Sequence, residues 1–299
     1  MKHSIKDWLI ATRYWSFTVS TMPVVATFAY LFSQGKLPGG ALPWAVLLLS
    51  LTGVVLLHSA GNVLSDYFDY KSGVDNENAF AVPNLVFHRF ESGEYLIFSI
   101  ILFVAGCAVG VAVTLLSGPG LLIIGGAGVL LTALYSWLKF NALGDLDIFI
   151  IFGLLTVIGA AYALTGEFHP EALVLSLPIG IITVSVLHAN NTYDTVTDGA
   201  AGIKTFAMLI GGKASSVLYC IYMVIPFLSV AISVVLCLLH PLALLCLPAA
   251  ILAGRNFRQA ATYPKAGLEA MKGLDQASAK LQLVFSGLLS IGLLVAGLL

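Results

Sequence analysis

Nine long apolar runs constrain most strongly what this chain can fold into. A bilayer core about 30 Å thick takes roughly 20 apolar residues as a helix, and in lipid only helices and closed barrels satisfy their own backbone hydrogen bonds. The runs predict an all-α, polytopic membrane protein with nine transmembrane helices. They lie at residues 15–33, 43–65, 95–116, 119–138, 147–165, 171–190, 216–238, 241–254 and 281–299, and the eighth is the shortest.

Charged residues are too scarce for a soluble protein. Asp, Glu, Lys and Arg make up 10% of the 299 residues, whereas soluble globular domains carry about 25%. The formal net charge of −1 gives no basic surface of the kind that binding to nucleic acid requires. No linker or shift in composition divides the chain, so we expect residues 1–299 to form a single membrane domain in the lipid bilayer.

The distribution of basic residues predicts which way the chain crosses the membrane. Cytoplasmic loops are enriched in Lys and Arg. With a cytoplasmic N-terminus, thirteen of the fourteen Lys and Arg side chains fall on that side, and Lys36 alone falls outside. Of the fifteen acids, only Glu167 and Glu171 fall outside. We therefore expect the N-terminus and the active site on the cytoplasmic face.

Two of the predicted spans end in a short polar stripe on that face. Each stripe has an Asn, an Asp four residues later, and another Asp three or four residues further on. At 100° per residue each set falls within an arc of about 80° or less, so each lines one helix face. The matching spacing argues against acids that merely cluster at solvated helix ends. The sets are Asn62, Asp66 and Asp69 in the second span, and Asn190, Asp194 and Asp198 in the sixth.

Oxygen ligands from Asp and Asn suit a hard divalent cation. Mg²⁺ characteristically bridges protein carboxylates to a substrate phosphate, and the sequence has no Cys/His zinc pattern and no Gly-rich phosphate loop. Basic side chains stand where a phosphate could use them, at Arg89, Lys139 and Lys204. Arg gives forked contacts to phosphate and Lys a point charge. The acids and cations together predict a site for Mg²⁺ and a phosphorylated substrate.

These residues resemble the UbiA superfamily of intramembrane aromatic prenyltransferases. The stretch from Asn62 to Asp75, NVLSDYFDYKSGVD, is similar to the first Asp-rich motif of that family, and the stretch from Asn190 to Gly211 is similar to the second. Within the superfamily, the chain is most similar to the 1,4-dihydroxy-2-naphthoate polyprenyltransferases of menaquinone biosynthesis. The short segment YSWLKFNALGD, which begins at Tyr135, is more similar to the hydroxybenzoate branch. For this reason 4-hydroxybenzoate is the alternative acceptor.

The resemblance implies Mg²⁺-dependent transfer of a polyprenyl group from an allylic diphosphate to an aromatic small molecule, in a bacterial inner membrane. The catalytic residues that it implies are Asp66, Asp69, Asp194, Asp198, Lys139 and Tyr135, and the four Asp residues would also hold the metal. The residues implied to bind the diphosphate are Asn62, Asn190, Arg89 and Lys204. Asp75 is the candidate base for the aromatic proton, provided that Gly73 ends the preceding helix.

Water has to be excluded from such a site, because an allylic cation reacts with it quickly. We expect the loop 70–94 to close as a lid carrying Phe80, Phe87 and Phe90.

Four further residues are expected to serve the packing of the spans. His58 and His188 each come shortly before a motif, and we expect each to make a hydrogen bond between helices. Gly106 and Gly110 are one turn apart on one face, which is the spacing of a close helix contact.

Two other classes of protein remain open. In a membrane transporter the acids would mark a translocation path, although transporters place ionisable groups near the bilayer midplane at broken helices, whereas here both clusters sit at one face. A non-catalytic lipid-binding scaffold is the other. The sequence leaves the acceptor, the prenyl chain length and the oligomeric state open.

Overall fold

The computed structural model describes residues 3–73, 85 and 90–299. That part of the chain is helical apart from short connections, and it contains no β-strand beyond an isolated bridge between Asn141 and Lys204. The prediction of an all-α fold is confirmed for these residues.

The first half of the chain forms seven helices. They are α1 Ile5–Ala11, α2 Thr18–Ser33, α3 Leu42–Lys71, α4 Ser92–Ser117, α5 Gly120–Phe140, α6 Gly144–Ile148 and α7 Thr156–Thr165. A π-helical stretch, Phe149–Leu155, joins α6 to α7 and makes one continuous span of the two. A 3₁₀ turn, Tyr14–Ser16, leads into α2.

The second half forms eight helices. They are α8 Ser176–Tyr193, α9 Thr195–Ala200, α10 Phe206–Ile210, α11 Gly212–Tyr222, α12 Ile225–Val235, α13 Ala250–Ala260, α14 Tyr263–Ala266 and α15 Leu274–Leu298. Three 3₁₀ segments complete this half, at Pro170–Leu175, Pro241–Ala249 and Gly267–Met271.

Eight helical segments of the described chain are long and apolar enough to cross a membrane, so the prediction of a polytopic membrane protein is confirmed. They are Tyr14–Ser33, Leu42–Lys71, Ser92–Ser117, Gly120–Phe140, Gly144–Thr165, Pro170–Tyr193, Gly212–Val235 and Leu274–Leu298. These match all of the predicted spans except the eighth. The count of nine and the cytoplasmic N-terminus stay predictions.

The predicted span at 241–254 has a different local structure. Its first part is the 3₁₀ segment Pro241–Ala249, which contains Pro248, and its second part continues as α13. Proline has no backbone N–H to donate and its ring clashes with the preceding turn, which accounts for the irregular first part. Arg255 and Arg258 then follow in α13, so the apolar stretch is short.

The spans divide into central and peripheral ones. The apolar window of the Pro170–Tyr193 span is 67% buried within the protein, whereas that of α5 is 6% buried. α15 packs against α2, α8 and the segment Pro241–Ala249, while α3 pairs with α4. The outer helices leave apolar side chains exposed, which lipid covers in a membrane protein.

A cavity of about 250 Å³ lies between α3, α4, α5 and the α6–α7 span. Its wall follows α3 from Leu49 to Ser65, which is about 24 Å at 1.5 Å per residue. One end is lined by the polar residues Arg13, Asn62 and Tyr135, and the remainder is mostly apolar. The fold therefore combines a long apolar chamber with a polar end.

The two glycines predicted to make a close helix contact differ in their surroundings. A Cβ atom on Gly106 would lie 2.8 Å from the Leu57 side chain, so α4 and α3 do approach closely there. A Cβ atom on Gly110 would meet nothing within 4 Å, and Gly110 lines the cavity. The packing prediction is confirmed for Gly106, whereas Gly110 leaves space in the chamber.

The tightest backbone approach in the described chain is at Gly292 of α15, and it predicts a stability effect. A Cβ atom there would lie 2.0 Å from the carbonyl oxygen of Leu242. We expect Gly292→Ala to lower the free energy of unfolding by about 2 kcal/mol or more, because overpacking forces the backbone apart. Unfolding of the purified protein in detergent measures the change.

Gly287→Ala is the matched control on the same helix, because a Cβ atom on Gly287 meets nothing within 4 Å. It is expected to be neutral or stabilising by up to about 1 kcal/mol, since alanine is the better helix former. Equal stability of the two variants would contradict the close contact at Gly292.

Candidate active site

The first polar stripe lies at the end of α3, which continues through the motif to Lys71. Asp66 is 5% exposed and Asp69 is 4% exposed. Burial of charged carboxylates is unfavourable unless an opposite charge compensates it. Each of the two acids has such a partner: the Arg13 guanidinium bonds to Asp66, and the Lys139 ammonium lies 3.3 Å from Asp69 Oδ2.

Arg13 reaches Asp66 from the connection between α1 and α2. Its backbone is in the left-handed region, with φ 53°, which costs a non-glycine residue roughly 1 kcal/mol. Asn62 supports the connection, because its side-chain Nδ2 donates to the Thr12 carbonyl at 3.0 Å. The predicted diphosphate ligand Asn62 therefore holds the segment that carries Arg13.

The sequence marks Arg13 as an orientation signal and not as a site residue. The available clue was the need for a countercharge to the buried acids, since few cations lie within the motifs themselves. Arg13 precedes the first apolar run by two residues and has no acid beside it in sequence. The pairing depends on tertiary structure, because the two residues are 53 positions apart.

Lys139 lies in the last turn of α5 and is 8% exposed. Besides Asp69, the charges of Asp198 and Arg13 act on its ammonium. Lys139 contacts Asp69 of the first motif, and the next residue, Phe140, accepts a backbone hydrogen bond from Lys204, which follows the second motif, so this end of α5 contacts both motif segments. Tyr135, one turn earlier on α5, lines the polar end of the cavity. The structure thus brings both predicted α5 residues to the motifs.

The second polar stripe spans the end of α8 and the short helix α9. α8 ends at Tyr193, and Asp194 separates it from α9. Backbone hydrogen bonds of 2.9 Å still run from Asp194 to Asn190 and from Asp198 to Asp194, so helical spacing continues through the motif. Asn190 donates to Asp194 Oδ2 at 2.8 Å.

Asp194 lies in a less polar environment than an ordinary surface carboxylate. Its burial raises its pKa to about 6, and the nearby Asp198 carboxylate adds to the increase. Asp198 itself is 2% exposed. Two neighbouring acids of the same charge favour a cation between them.

The carboxylate and amide oxygens of the two motifs suit Mg²⁺ as ligands, although they do not form a complete coordination sphere in this structure. Asp69 Oδ1 and Asn191 Oδ1 are buried and lack a hydrogen-bond partner among the described residues, and oxygens of this kind are ligands for a hard cation. Among those residues no three His, Cys, Asp or Glu side chains converge on one point. In this arrangement Arg13 and Lys139 supply the positive charge at the first motif.

Several predicted residues lie outside the site or outside the described residues. Arg89 and Asp75, with Phe80, Phe87 and most of the loop 70–94 expected to form a lid, are not among the residues that the structure describes. The Lys204 side chain is exposed, and its backbone N–H donates to Phe140 at 3.4 Å. This contact places Lys204 next to the end of α5 that carries Lys139.

Phe90 packs away from the cavity. It is 4% exposed and stacks on His3, with ring centroids 4.0 Å apart, and it contacts Trp8 of α1. It does not line the cavity, so this packing does not support its predicted role as a lid residue over the site.

Both histidines make the expected bonds between helices. His188 is fully buried, with Nδ1 at 2.6 Å from Asp145 Oδ2 and Nε2 at 3.2 Å from the Ser215 carbonyl. His58 Nδ1 lies 3.0 Å from the Ser20 hydroxyl of α2. The His188 contacts tie α8, which carries the second motif, to α6 and α11.

Comparison with known proteins identifies the family. The model of the UbiA prenyltransferase family matches residues 15–271. The chain belongs to the UbiA prenyltransferase family. This UbiA-family chain is 32% identical over 303 residues to UbiA prenyltransferase domain-containing protein 1 of Mus musculus, covering 99% of the chain and 86% of the relative. It is 31% identical to the Homo sapiens protein of the same name, covering 97% of the chain and 84% of the relative.

Solved structures show the same fold. An apo UbiA homologue from Aeropyrum pernix aligns with a TM-score of 0.70 at 18% identity, covering 93% of this UbiA-family chain and 97% of the other. A UbiA homologue from Archaeoglobus fulgidus bound to GPP and Mg²⁺ aligns with a TM-score of 0.63 at 14% identity, covering 96% and 99%.

The comparisons confirm the superfamily and the prenyltransferase class of enzyme. They do not support the finer assignment to dihydroxynaphthoate polyprenyltransferases, because the relatives named above carry only the family in their names. Both relatives are animal proteins, so the predicted bacterial inner membrane has no support from them either.

The buried pair of Asp69 and Lys139 predicts strong coupling in this UbiA-family chain. Removing one partner leaves an uncompensated buried charge, which typically costs about 3 kcal/mol or more. We expect Lys139→Met and Asp69→Asn each to lower the free energy of unfolding by that amount, and the double variant to lose clearly less than the sum. Unfolding in mixed detergent, with all four proteins compared, gives the coupling energy.

The exposed pair Lys272 and Glu269, 3.5 Å apart, provides the control cycle. Exposed ion pairs contribute at most about 1 kcal/mol, so Lys272→Met and Glu269→Gln should show little coupling. Additive effects at Asp69 and Lys139 would contradict a buried pair.

Proposed function

We propose that this chain transfers a polyprenyl group from an allylic diphosphate to an aromatic acceptor with the help of Mg²⁺. The observation that carries the proposal is the position of Lys139, which lies 3.3 Å from Asp69 of the first Asp-rich motif and one helical turn along α5 from Tyr135, which lines the polar end of a long apolar cavity. A charged head and an apolar tail on one substrate match such a chamber. We propose residues 1–299 as the single domain that does this.

The four acids of the motifs are the proposed metal ligands. Asp66, Asp69, Asp194 and Asp198 would hold Mg²⁺, with Asn62 and Asn190 assisting. The metal, when bound, stabilises the negative charge that the leaving diphosphate develops. In support, the Archaeoglobus fulgidus homologue was solved with GPP and Mg²⁺.

Arg13 and Lys139 are proposed to change partners when the donor binds. In the structure they neutralise Asp66 and Asp69. With these acids holding Mg²⁺, the guanidinium and the ammonium would be free to bind the diphosphate, to which Arg offers two parallel hydrogen bonds and Lys a point charge. Lys204, beside the end of α5, and Arg89 are the further proposed diphosphate ligands.

The apolar part of the cavity is proposed to hold the prenyl tail and to exclude water. Apolar walls leave few groups that could capture an allylic cation, and Tyr135 and Phe152 present aromatic rings to the chamber. Aromatic rings stabilise cations through their negative faces. Tyr135 is therefore the proposed neighbour of the carbon that ionises.

The acceptor that we propose first is 1,4-dihydroxy-2-naphthoate, with 4-hydroxybenzoate as the alternative. The motif stretches that begin at Asn62 and at Asn190 favour the first, and the short segment after Tyr135 favours the second. We propose an integral membrane protein with its site on the cytoplasmic face, where the basic residues concentrate. α3, α5 and α8 each carry their polar site residues at the C-terminal end of the span, which is the cytoplasmic end in the proposed orientation.

The metal proposal predicts a large loss of activity when a motif acid is neutralised. Asp66→Asn and Asp194→Asn should each lower Mg²⁺-dependent release of diphosphate from a prenyl diphosphate by about 100-fold or more, since each removes a charge that positions the metal. The purified variants, with an aromatic phenol present, are assayed for diphosphate and for prenylated product.

Glu269→Gln is the control, because Glu269 is an exposed acid outside both motifs that pairs with Lys272. It should retain activity within about twofold. Full activity of the Asp66→Asn and Asp194→Asn variants would exclude the metal proposal, and solute uptake by sealed vesicles without diphosphate release would support a transporter instead.

An acceptor panel tests the finer assignment. With dihydroxynaphthoate, prenylation at the carboxylated carbon should release CO₂, so that the product lacks the carboxylate, whereas prenylated 4-hydroxybenzoate keeps it. Mass spectrometry of the products separates the two outcomes. A turnover number with 4-hydroxybenzoate ten times that with dihydroxynaphthoate would overturn the first choice.

A further inference from the structure

His58 of α3 is a histidine on the wall of the chamber. It lines the cavity, and part of its surface stays accessible although it lies within an apolar span. The contact with Ser20 that joins α3 to α2 uses only one of its two ring nitrogens, Nδ1. The contacts around the ring show what the other nitrogen, Nε2, can do.

The neighbouring serines fix the position of the proton on the ring. The Ser20 hydroxyl donates to the Phe17 carbonyl at 3.2 Å, and the Ser16 hydroxyl donates to the Arg13 carbonyl at 2.8 Å. A hydroxyl has one proton to donate, so the Ser20 oxygen, 3.0 Å from Nδ1, accepts from His58. The neutral ring therefore carries its proton on Nδ1 and a lone pair on Nε2.

The Nε2 lone pair receives no proton from its neighbours. The Ser16 oxygen lies 3.4 Å from Nε2, beyond the usual length of a hydrogen bond, and its proton is donated to the Arg13 carbonyl. The nearby Asn62 amide donates to the Thr12 carbonyl at 3.0 Å. Nε2 of His58 is thus an acceptor, on an accessible cavity wall, that suits a hydroxyl group of a bound molecule.

His58 lies between the charged end of the chamber and its apolar part. Along α3 it precedes Asn62 by one turn and Asp66 by two, and eight residues correspond to about 12 Å. This spacing leaves room for a diphosphate near the acids and for the reacting carbon beyond it. An aromatic ring that meets that carbon from the apolar side would lie beside His58.

Phe152 makes the surroundings of His58 suitable for an aromatic molecule. It belongs to the π-helical stretch and also lines the cavity. Its ring centroid is 5.3 Å from that of the imidazole, and the two planes are tilted by 57°. Aromatic rings pack well against one another in tilted and offset arrangements, so this pair offers an aromatic wall next to Nε2.

We propose that His58 is a catalytic residue whose Nε2 accepts the proton of the acceptor's phenolic hydroxyl. The inference rests on the proposed function, which supplies the allylic diphosphate and the aromatic acceptor. Both acceptors considered above carry a phenolic hydroxyl, which is the donor that Nε2 lacks. Histidine is the side chain that most often transfers protons in catalysis, since it gains and loses one near neutral pH.

The proton transfer activates the ring. The phenolic O–H bond breaks, its proton goes to Nε2, and the oxygen electron pair forms a carbonyl as a ring carbon bonds to the allylic carbon. The allylic C–O bond breaks, and its electrons leave with the diphosphate. The ring becomes aromatic again when the alkylated carbon loses CO₂, or loses a proton to the diphosphate, and the carbonyl oxygen takes its proton back from Nε2.

Other described groups are less suited to this step. Asp66 and Asp69 are paired with cations, which makes a carboxylate a weaker base, and both are proposed metal ligands. His188 is fully buried, both of its ring nitrogens have partners within the protein, and it does not line the cavity. His58 combines a free lone pair with access to the chamber.

The test separates diphosphate release from prenylation in His58→Asn. The amide can keep the contact with Ser20, but it provides no base at the position of Nε2. Loss of a general base typically costs about 100-fold or more, so we expect that fall in prenylated product per diphosphate released, with prenyl alcohol formed instead. The KM for the donor should change less than about threefold.

Acceptor acidity gives a second readout. Fluorinated analogues of the acceptor, whose phenols ionise more easily, should restore product in His58→Asn more than they increase it in the wild type. His58→Gln serves as a second variant should His58→Asn fold poorly, and thermal unfolding of each variant checks this.

Two further variants control for structural effects. His240→Asn makes the same substitution at an exposed histidine outside the cavity, and it should keep the wild-type ratio of product to diphosphate. Ser20→Ala removes the contact between the helices but leaves Nε2 in place. Because a single hydrogen bond contributes little, Ser20→Ala should lower that ratio by less than about tenfold.

An unchanged product ratio in His58→Asn would overturn the inference. So would an equal fall in Ser20→Ala, or a parallel loss of product and diphosphate release that does not depend on phenol acidity, since either would show a structural role. Failure of the proposed function is distinguishable, because the wild type would then release no Mg²⁺-dependent diphosphate with any phenol.

Discussion

The pairing of buried acids with distant cations is the interaction on which the polar end of this protein depends. Carboxylates enclosed by apolar helices are costly unless a positive charge lies against them. Asp66 and Asp69 obtain theirs from Arg13, ahead of the first span, and from Lys139, at the end of the fourth. The pairs thus join three parts of the chain at one end of the bundle, and the apolar chamber opens from that junction.

The sequence predicted the helical class and most of the spans, because long apolar runs have few other solutions in a bilayer. It also predicted the stripe of α3, since an Asn, an Asp and a further Asp at helical spacing share a face wherever the helix continues. The segment Pro241–Ala249 was harder to predict, because a hydropathy profile does not show that its prolines lack backbone N–H groups. The role of Arg13 was out of reach, since the pairing spans 53 positions of the chain.

Phe90 and Asp147 show a second limit of sequence reasoning. The position of Phe90 in a long loop predicts a lid residue, whereas contacts with His3 and Trp8 hold it against α1. Asp147 of α6 is a single acid at the edge of an apolar run, so no sequence pattern marks it. What distinguishes it is the absence of a hydrogen-bond partner among the described residues, which only coordinates reveal.

The π-helical stretch Phe149–Leu155 has a consequence for how this span evolves. Because a π-helical turn holds about one residue more than an α-helical turn, the cavity wall at Ile148 and the wall at Gly159 lie on one face only while this π-helical geometry is kept. Changing the stretch to α-helical geometry without deleting a residue would rotate one half against the other by about 100°. The alignment of the polar end of the chamber with its apolar part therefore depends on the number of residues in this span as well as on their identity.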